Sequence, residues 1–226
     1  MLPAERPTDT RLLFIRHGES QSNAGRWISG HNTCGGLTDL GREQASLLSQ
    51  RLVRAAARAP DVVLSSTMPR AVETAEIMAS PVGMPVHQMF DLSERAPGEC
   101  EGSTFEEYHA RYGKFPFVDW EPALSPGGES NADFLGRITR VLADVTGTHD
   151  GRSIWIVCHG GMIMGATALL MGTPGGAAAP QWQNPANTSV TEFVRPGPAQ
   201  PWALQRYNDH AHLEGQQPLG DGPLSV

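Results

Sequence analysis

Apolar residues occur along this chain in two ways, as short unbroken runs and as longer stretches with helical spacing. The unbroken runs predict strands buried on both faces, at 11–15, 61–66 and 152–159, with a shorter strand at 84–89. Helical segments lie between the strands, at 37–60, 69–80 and 130–147, and a nearly all-apolar helix follows at 160–172. Because strands alternate with helices, the pattern predicts an α/β protein, with a three-layer α/β/α fold and a mostly parallel central sheet.

Local signals mark where some of these elements begin. Thr38 is a suitable N-cap for the first long helix, because its hydroxyl can accept from a free backbone N–H. Pro69 stands near the first position of the second helix, where a missing N–H is tolerated. The segment 18–36, rich in Gly, Asn and Ser, predicts a long loop. The alternating segments 187–194 and 202–208 predict a terminal hairpin.

The length of 226 residues and the hydrophobic fraction of 39% are sufficient for a single domain over residues 1–226. Residues 91–130 have no strand pattern and contain a short predicted helix at 104–113, so we expect them to form a small cap inserted into the domain. The segment 214–226 is rich in Gln, Gly and Pro, which predicts a loose C-terminal tail.

Composition excludes several classes of partner. The formal net charge is −7 and Lys and Arg do not cluster, so nucleic acid is not an expected partner. No apolar run is long enough to span a bilayer, and the N-terminal MLPAERPTDT lacks the pattern of a signal peptide. The cysteines, Cys34, Cys100 and Cys158, are odd in number and lack CxxC spacing, which is typical of reduced thiols in a cytoplasmic protein.

Cationic and imidazole side chains follow the buried strands at the points where the strands end. The first strand leads into Arg16 and His17, the second is followed by Arg70, and the fourth leads into His159 and Gly160. The carboxyl ends of parallel strands meet at one edge of a sheet, and the N-termini of the following helices point there too. This edge therefore predicts an anion pocket, and guanidinium groups favour tetrahedral phosphate as its guest.

A family resemblance supports this prediction. The motifs RHGESQSN, LTDLGREQA, SSTMPRAVETA, LSERAPGECEG, PGGES and CHGG occur in this order between about Leu12 and Thr191. Together they resemble the signature of the histidine phosphatase superfamily, which has the phosphoglycerate-mutase-like fold. The resemblance implies a phosphoric monoester hydrolase that forms a phosphohistidine intermediate on a small-molecule substrate. It implies neither a metal nor another cofactor, and it is compatible with a homodimer.

The resemblance also implies roles for individual residues. His17 would be the nucleophile that becomes phosphorylated, and Glu94 would be the proton donor to the leaving group. Glu101 is the alternative acid on its position alone, because it lies in the same segment, 91–102. The remaining residues would bind the transferred phosphoryl group or the substrate; they are Arg16, Asn23, Ser29, Gly30, Arg70, His159 and Gly160.

Three functions remain open at this point. A mutase needs cations for a second phosphate, but the segment 91–130 contains only Arg95, Arg111 and Lys114 and lacks the adjacent Arg-Arg pair of the mutases. The pattern therefore favours a phosphatase over a mutase. A non-catalytic protein that binds a phosphorylated ligand is the third alternative, although every residue that the chemistry needs is present.

Other residues that could take part in chemistry each have a functional and a purely structural interpretation. The aromatic side chains of the cap indicate either an organic leaving group larger than glycerate or ordinary packing; they are Phe105, Tyr108, Tyr112, Phe115, Phe117 and Trp120. His31 and Cys34 lie in a loop that could contact substrate or simply connect elements. His210 and His212 could bind a metal ion, but the pattern favours an ordinary solvated polar segment.

Overall fold

The computed structural model describes residues 9–54, 59–113, 123–173 and 183–214. These residues form one six-stranded sheet, in the order β3-β2-β4-β1-β5-β6. The strands are β1 (Thr10–Arg16), β2 (Val62–Ser65), β3 (Val86–Gln88), β4 (Ser153–Cys158), β5 (Val190–Arg195) and β6 (Ala203–Asp209). The first four run parallel, whereas β5 is antiparallel to β1 and pairs with β6 as a hairpin. The predicted mostly parallel sheet and terminal hairpin are confirmed.

Helices connect the strands at the predicted places. They are α1 (Gln21–Gly25), α2 (Asp39–Arg54), α3 (Pro69–Ala79), α4 (Phe105–Tyr112), α5 (Asn131–Thr148) and α6 (Gly160–Leu170). Thr38 caps α2 as predicted, because its Oγ1 accepts from the N–H of Gly41 at 3.0 Å. The prediction of a continuous loop over 18–36 was wrong in one part. Ser20 and Asn23 form a reciprocal capping box that starts the short helix α1, a local signal within the polar segment.

Helices cover both faces of the sheet, which makes the three-layer architecture. On one face, α2 and α3 pack through Leu48, Leu52, Ala71, Ala75 and Met78 against β1, β2 and β4. On the other face, α5 and α6 contribute a second core that includes Phe134, Ile138, Val141, Met162 and Ile163. The strands β1, β2 and β4 are buried along nearly their whole length, because apolar side chains on both of their faces meet a helical layer.

The segment after β3 leaves the sheet and forms its own small cluster. Tyr108 of α4 packs with Ile28, Cys100 and Leu124, and Phe105 and Tyr112 lie against this group. The Tyr108 hydroxyl donates to the carbonyl of Leu124 at 2.9 Å. These three aromatic residues therefore pack within the cap, which agrees with the packing interpretation given above. Phe115, Phe117 and Trp120, like the tail from residue 215, lie outside the described residues.

Strand order decides which ends become neighbours. β4 lies between β1 and β2, so the ends of β1 and β4 are adjacent and the end of β2 lies beside β4. Each of these strands runs in the same direction. The residues that follow them, from Arg16, Ser65 and Cys158 onward, thus reach one edge of the sheet, where α3 and α6 also begin.

Candidate active site

Two buried histidines lie next to each other at this edge. The rings of His17 and His159 have centroids 5.2 Å apart, and their exposed fractions are 3% and 1%. The backbone N–H of His17 donates to the carbonyl of Cys158 at 3.0 Å, so the β1–β4 pairing itself sets their separation. The two imidazoles that the sequence places after separate strands therefore belong to one site.

The hydrogen bonds of His17 define its tautomer. Nδ1 lies 2.7 Å from the carbonyl oxygen of Gly18, which can only accept, so Nδ1 carries the proton. Nε2 accepts from Nε of Arg70 at 3.1 Å and holds a lone pair. Burial, followed by the charges of Arg70 and Arg16, holds the pKa of His17 well below 6.5. His17 is therefore neutral at pH 7, with Nε2 as its unprotonated nitrogen.

Two buried guanidinium groups flank His17. Arg16 lies at the end of β1 and donates from Nη1 to the carbonyl of Pro185 at 2.6 Å. Arg70 lies in the first turn of α3, and its Nη1 donates to the hydroxyl of Ser29 at 3.3 Å. Buried cations are expensive unless they have partners, so two of them beside an imidazole indicate a pocket built for an anion.

His159 presents one nitrogen to a serine and leaves the other available. Nε2 lies 2.9 Å from Oγ of Ser66, the residue after β2. No residue that the structure describes makes a hydrogen bond with Nδ1, which is fully buried. Burial, then the charge of Arg70, keeps the pKa of His159 well below 6.5. A buried ring nitrogen without a protein partner is suited to an oxygen of a bound phosphoryl group.

The N-terminus of α6 completes this side of the pocket. His159 is its N-cap residue and Gly160 is its first residue. A Cβ atom on Gly160 would lie only 2.4 Å from Oδ1 of Asn184 and 3.8 Å from Nε of Arg16. A side chain at this position would displace Asn184, and the helix N-terminus adds partial positive charge to the site.

The two candidate acids have different surroundings. Glu94 accepts from the N–H of Gly161 in α6 at 2.8 Å and from the N–H of Arg95 at 2.9 Å, so its carboxyl group lies beside the α6 N-terminus. Glu101 instead accepts from the backbone N–H groups of Asn32 and Thr33, at 2.8 and 3.0 Å, and from both of their side chains. Glu101 thus holds the loop at 30–33, and this geometry supports Glu94 as the acid.

The other predicted binding residues lie around the same pocket, with different surroundings. Asn23 caps α1, and its Oδ1 also receives a hydrogen bond from Asn187 at 3.4 Å. Ser29 contacts Arg70, as described above. Gly30 packs against Glu101, because a Cβ there would lie 2.6 Å from the carboxyl carbon. Their direct contact with substrate stays a prediction.

Sequence reasoning missed several residues that support the site. Asn187 donates from Nδ2 to the carbonyl of His17 at 3.0 Å, and the N–H of Thr188 donates to the carbonyl of Arg16 at 3.0 Å. Thr188 has φ +54°, a strained value for a β-branched residue. The signal was the polar NTS before the last hairpin, which is informative only once β5 is known to lie antiparallel beside β1.

Arg137 of α5 is a third residue that the sequence did not indicate. Its Nη1 donates to the carbonyls of Asp91 and Ser93, at 2.6 and 2.8 Å, and the guanidinium pairs with Glu129 at 2.6 Å. The side chain therefore ties the segment that carries Glu94 to α5. A lone arginine on an amphipathic helix gives no sequence signal for such a role.

Several other candidates contact residues other than His17, Arg16, Arg70 and His159. Arg95 donates to Oδ1 of Asn131, and Arg111 pairs with Glu99 at 3.2 Å, while Lys114 lies outside the described residues. His210 bonds the carbonyl of Asn208, and His212 contacts Thr188. In the part of the chain that the structure describes, no three His, Cys, Asp or Glu side chains are grouped as metal ligands. The described helices include none long and apolar enough to cross a membrane.

The fold and the site together define a class: an α/β protein whose sheet edge holds two buried, neutral histidines beside two buried arginines. Comparison with known sequences then identifies the family, since the model of the histidine phosphatase superfamily (branch 1) matches residues 12–210. The chain belongs to this superfamily and is a phosphatase.

Individual relatives and solved structures agree with this assignment. The chain is 32% identical to phosphoglycerate mutase-like protein 4 of Arabidopsis thaliana, over 90% of this chain and 86% of that protein. It is 34% identical to a glucosyl-3-phosphoglycerate phosphatase of Mycolicibacterium vanbaalenii, over 73% and 75% of the two chains. The structure of a mycobacterial glucosyl-3-phosphoglycerate phosphatase complexed with VO3 matches with a TM-score of 0.74 and 27% identity, covering 88% of this chain and 98% of that one.

Proposed function

We propose that this protein hydrolyses the phosphomonoester of a small metabolite through a phosphohistidine intermediate on His17. The observation that carries the proposal is the hydrogen bonding of His17. Gly18 accepts from Nδ1–H, and Nε2 accepts from Arg70, so Nε2 is the unprotonated nitrogen. The relatives named above as phosphatases support the same reaction class.

In the first step, Nε2 of His17 attacks phosphorus in line with the ester oxygen. The N–P bond forms as the P–O bond breaks, and Glu94 gives its proton to the leaving oxygen, which departs as an alcohol. The phosphoryl charge is spread over three oxygens, and Arg16, Arg70 and His159 surround the position where they would lie.

In the second step, the ionised Glu94 removes a proton from water, and the oxygen attacks the phosphohistidine. The P–N bond breaks, its electron pair returns to Nε2, and inorganic phosphate leaves. His17 is then neutral again, and Glu94 again carries the proton that it gave to the alcohol. No net proton is lost from the protein, so the cycle closes without another reactant.

We also propose that both steps proceed without a metal, because two arginines and a helix N-terminus already supply fixed positive charge. Activity should survive exhaustive treatment with a chelator. Restoration of turnover only by an added divalent cation would show that this part of the proposal is wrong.

The mutase alternative is weaker for a structural reason. Two of the cap cations that could hold a second phosphate are already engaged, since Arg95 bonds Asn131 and Arg111 pairs with Glu99. We therefore expect slow or undetectable interconversion of 2- and 3-phosphoglycerate beside measurable release of inorganic phosphate. Interconversion that is faster than hydrolysis would favour the mutase.

The decisive experiment traps the intermediate. The wild type, His17→Ala and the exposed-histidine control His87→Ala are mixed with a ³²P-labelled alkyl phosphate and quenched within milliseconds. Acid-labile, alkali-stable label should appear on the wild type and on His87→Ala, and be absent from His17→Ala. A folded His17→Ala that turns over normally, or that carries label on another residue, would reject the mechanism. Binding of the ester without any turnover would favour the non-catalytic alternative.

We further propose a cytoplasmic location and a small-molecule substrate, without nucleic acid or membrane partners. The net charge of −7 and the free thiols of Cys34, Cys100 and Cys158 support this. A homodimer remains part of the proposal, and sedimentation of the purified protein at several concentrations tests it.

A further inference from the structure

His31 lies where the phosphoryl pocket meets the candidate acid. Its Nε2 is 3.3 Å from Oγ of Ser93, the residue immediately before Glu94, and 2.9 Å from Oγ1 of Thr67. Oγ of Ser93 is in turn 3.2 Å from Oγ of Ser66, which contacts His159. His31 is thus connected by two serines to His159, and it contacts the residue next to the proposed proton donor of the leaving group.

An exposed aromatic ring lies parallel to His31. The rings of His31 and Phe90 are stacked, with centroids 5.0 Å apart and an interplanar angle of 13°. Phe90 is 65% exposed, although Leu92 in the same short helical turn is completely buried. The buried Leu92 anchors the turn and leaves the Phe90 ring exposed beside His31, where it can contact a bound molecule.

The loop that carries His31 is held in place before substrate binds. Glu101 accepts hydrogen bonds from the backbone N–H groups of Asn32 and Thr33, and it packs against Gly30 on the other side of His31. Anchoring on both sides limits the freedom of the loop and reduces the entropy that binding would cost. The His31–Phe90 stack is therefore a preorganised surface rather than a mobile one.

This surface offers an uncharged ring rather than a second cation. Burial and the charge of Arg70 lower the pKa of His31, and Glu101 and Arg137 are the other charged groups that act on it. The guanidinium of Arg137 is occupied by Glu129 and by backbone carbonyls. The stacked pair of His31 and Phe90 is thus aromatic and carries no second cation at neutral pH.

We propose that His31 and Phe90 determine substrate specificity, by favouring esters whose leaving group has a flat apolar face close to the ester oxygen over esters that carry a second anion. This inference rests on the proposed hydrolysis and names the substrate class for the same site. Stacking of a leaving group on these two rings contributes about 0.5–1.5 kcal/mol, which corresponds to about 2- to 13-fold in kcat/KM.

Three phosphate esters of primary alcohols test the inference, because each needs a proton on its leaving oxygen. They are benzyl phosphate, ethyl phosphate and 3-phosphoglycerate. The wild type should show a kcat/KM for benzyl phosphate about tenfold above that for ethyl phosphate. Phe90→Ala should lower kcat/KM for benzyl phosphate by about 3- to 10-fold and change ethyl phosphate by less than about twofold. Val53→Ala removes another exposed apolar side chain and should change neither.

Substitutions of His31 separate its ring from its charge. His31→Gln keeps a polar group near Thr67 and Ser93 but removes the ring, so it should reduce only the preference for benzyl phosphate. His31→Lys adds a cation and should also raise kcat/KM for 3-phosphoglycerate by about 3- to 5-fold. His87→Lys, an exposed histidine on β3, controls for net charge and should leave the ratio unchanged.

The outcomes distinguish the two proposals. Uniform loss on all three esters in Phe90→Ala would mean that the ring only supports the fold, and would overturn the specificity role. Equal wild-type kcat/KM for benzyl and ethyl phosphate would also overturn it, while the phosphohistidine mechanism would stand. A wild type that forms no labelled His17 with any ester would overturn the proposed function and, with it, this inference.

Discussion

At the scale of single residues, the site depends on which nitrogen of each histidine is engaged. The carbonyl of Gly18 accepts a hydrogen bond from Nδ1–H of His17, and Ser66 contacts Nε2 of His159. The unprotonated Nε2 of His17, which accepts from Arg70, and Nδ1 of His159 are therefore the nitrogens that the proposed mechanism uses. Both imidazoles are buried near guanidinium groups, which favours their neutral forms. Neutral rings at pH 7 are what the proposed nucleophilic attack by His17 requires.

The first prediction concerns the protonation of His17. Because burial and the charge of Arg70 lower its pKa, the ring should titrate with a midpoint below 6.5. NMR of protein labelled in histidine measures this midpoint, and His17→Asn assigns the resonance by removing it. In Arg70→Met the midpoint should move upward, because one positive charge is lost. A wild-type midpoint at or above 6.5 would contradict the prediction.

The second prediction separates Glu94 from Glu101 by the chemistry of the leaving group. Glu94→Gln should slow single-turnover phosphorylation of His17 by ethyl phosphate by about 100-fold or more, since an alkoxide needs a proton. The effect on a nitrophenyl phosphate should be mild, because a nitrophenolate leaves readily without one.

Glu101→Gln is the matched control for this experiment. It weakens the hydrogen bonds to Asn32 and Thr33, so we expect a lower melting temperature with little dependence on the leaving group. If Glu101→Gln shows the strong dependence and Glu94→Gln does not, the assignment of the acid must be exchanged.

At the scale of elements, a close contact between α2 and the segment after β1 positions the nucleophile. A Cβ on Gly41 of α2 would lie 2.0 Å from the carbonyl oxygen of Glu19, and one on Gly18 would lie 2.4 Å from the carbonyl of Gly41. The N–H of Gly18 also donates to Oγ1 of Thr74 in α3 at 3.0 Å. Two helices thus hold the backbone that carries the hydrogen-bond partner of His17.

The third prediction tests this contact with a single methyl group. Gly41→Ala should force the segment around Glu19 away from α2, destabilise the protein by about 1–3 kcal/mol and lower kcat. Denaturant unfolding and steady-state kinetics measure the two effects. Gly136→Ala is the control, because this helical glycine has its nearest neighbour at 3.7 Å from the added Cβ. It should stabilise the protein by about 0.5–1 kcal/mol and leave kcat unchanged, whereas full activity in Gly41→Ala would contradict the positioning role.

At the scale of the whole molecule, buried histidines make stability depend on pH. Burial and the charge of Arg51 lower the pKa of His212 to about 4, from a reference value of 6.5. Between these values the unfolded chain binds more protons than the folded protein, so the free energy of unfolding falls as pH decreases. His17 and His159, whose pKa values are also lowered, act in the same direction.

The fourth prediction follows from this linkage. The free energy of unfolding, measured by denaturant titration, should decrease as pH falls from about 7 toward 4. In His212→Gln the decrease should be shallower, because the substituted side chain cannot take up a proton in the unfolded state. The variant should be less stable than the wild type at pH 7, since the contact with Thr188 is altered. An unchanged slope would show that His212 does not contribute to the pH dependence.

Periodicity and strand-end residues were sufficient to predict the layers of this fold and the central part of its site. Parallel strands joined by helices have their carboxyl ends at one edge, so Arg16, His17, Arg70 and His159 had to approach each other once the βα pattern was recognised. The family motifs added expected roles for these residues. Both inferences use information that is local in the chain, namely spacing, burial pattern and short motifs.

Other features required the assembled structure, because they depend on pairs of residues far apart in the chain. The hairpin at the C-terminal end lies antiparallel beside β1, and only this placement brings Asn187 and Thr188 to the backbone of His17. The different environments of Glu94 and Glu101, and the stacking of His31 on Phe90, also arise from loops that meet in space. Local patterns determine which segments become helices or strands, but hydrogen bonds between distant loops form only after the sheet order has set their positions.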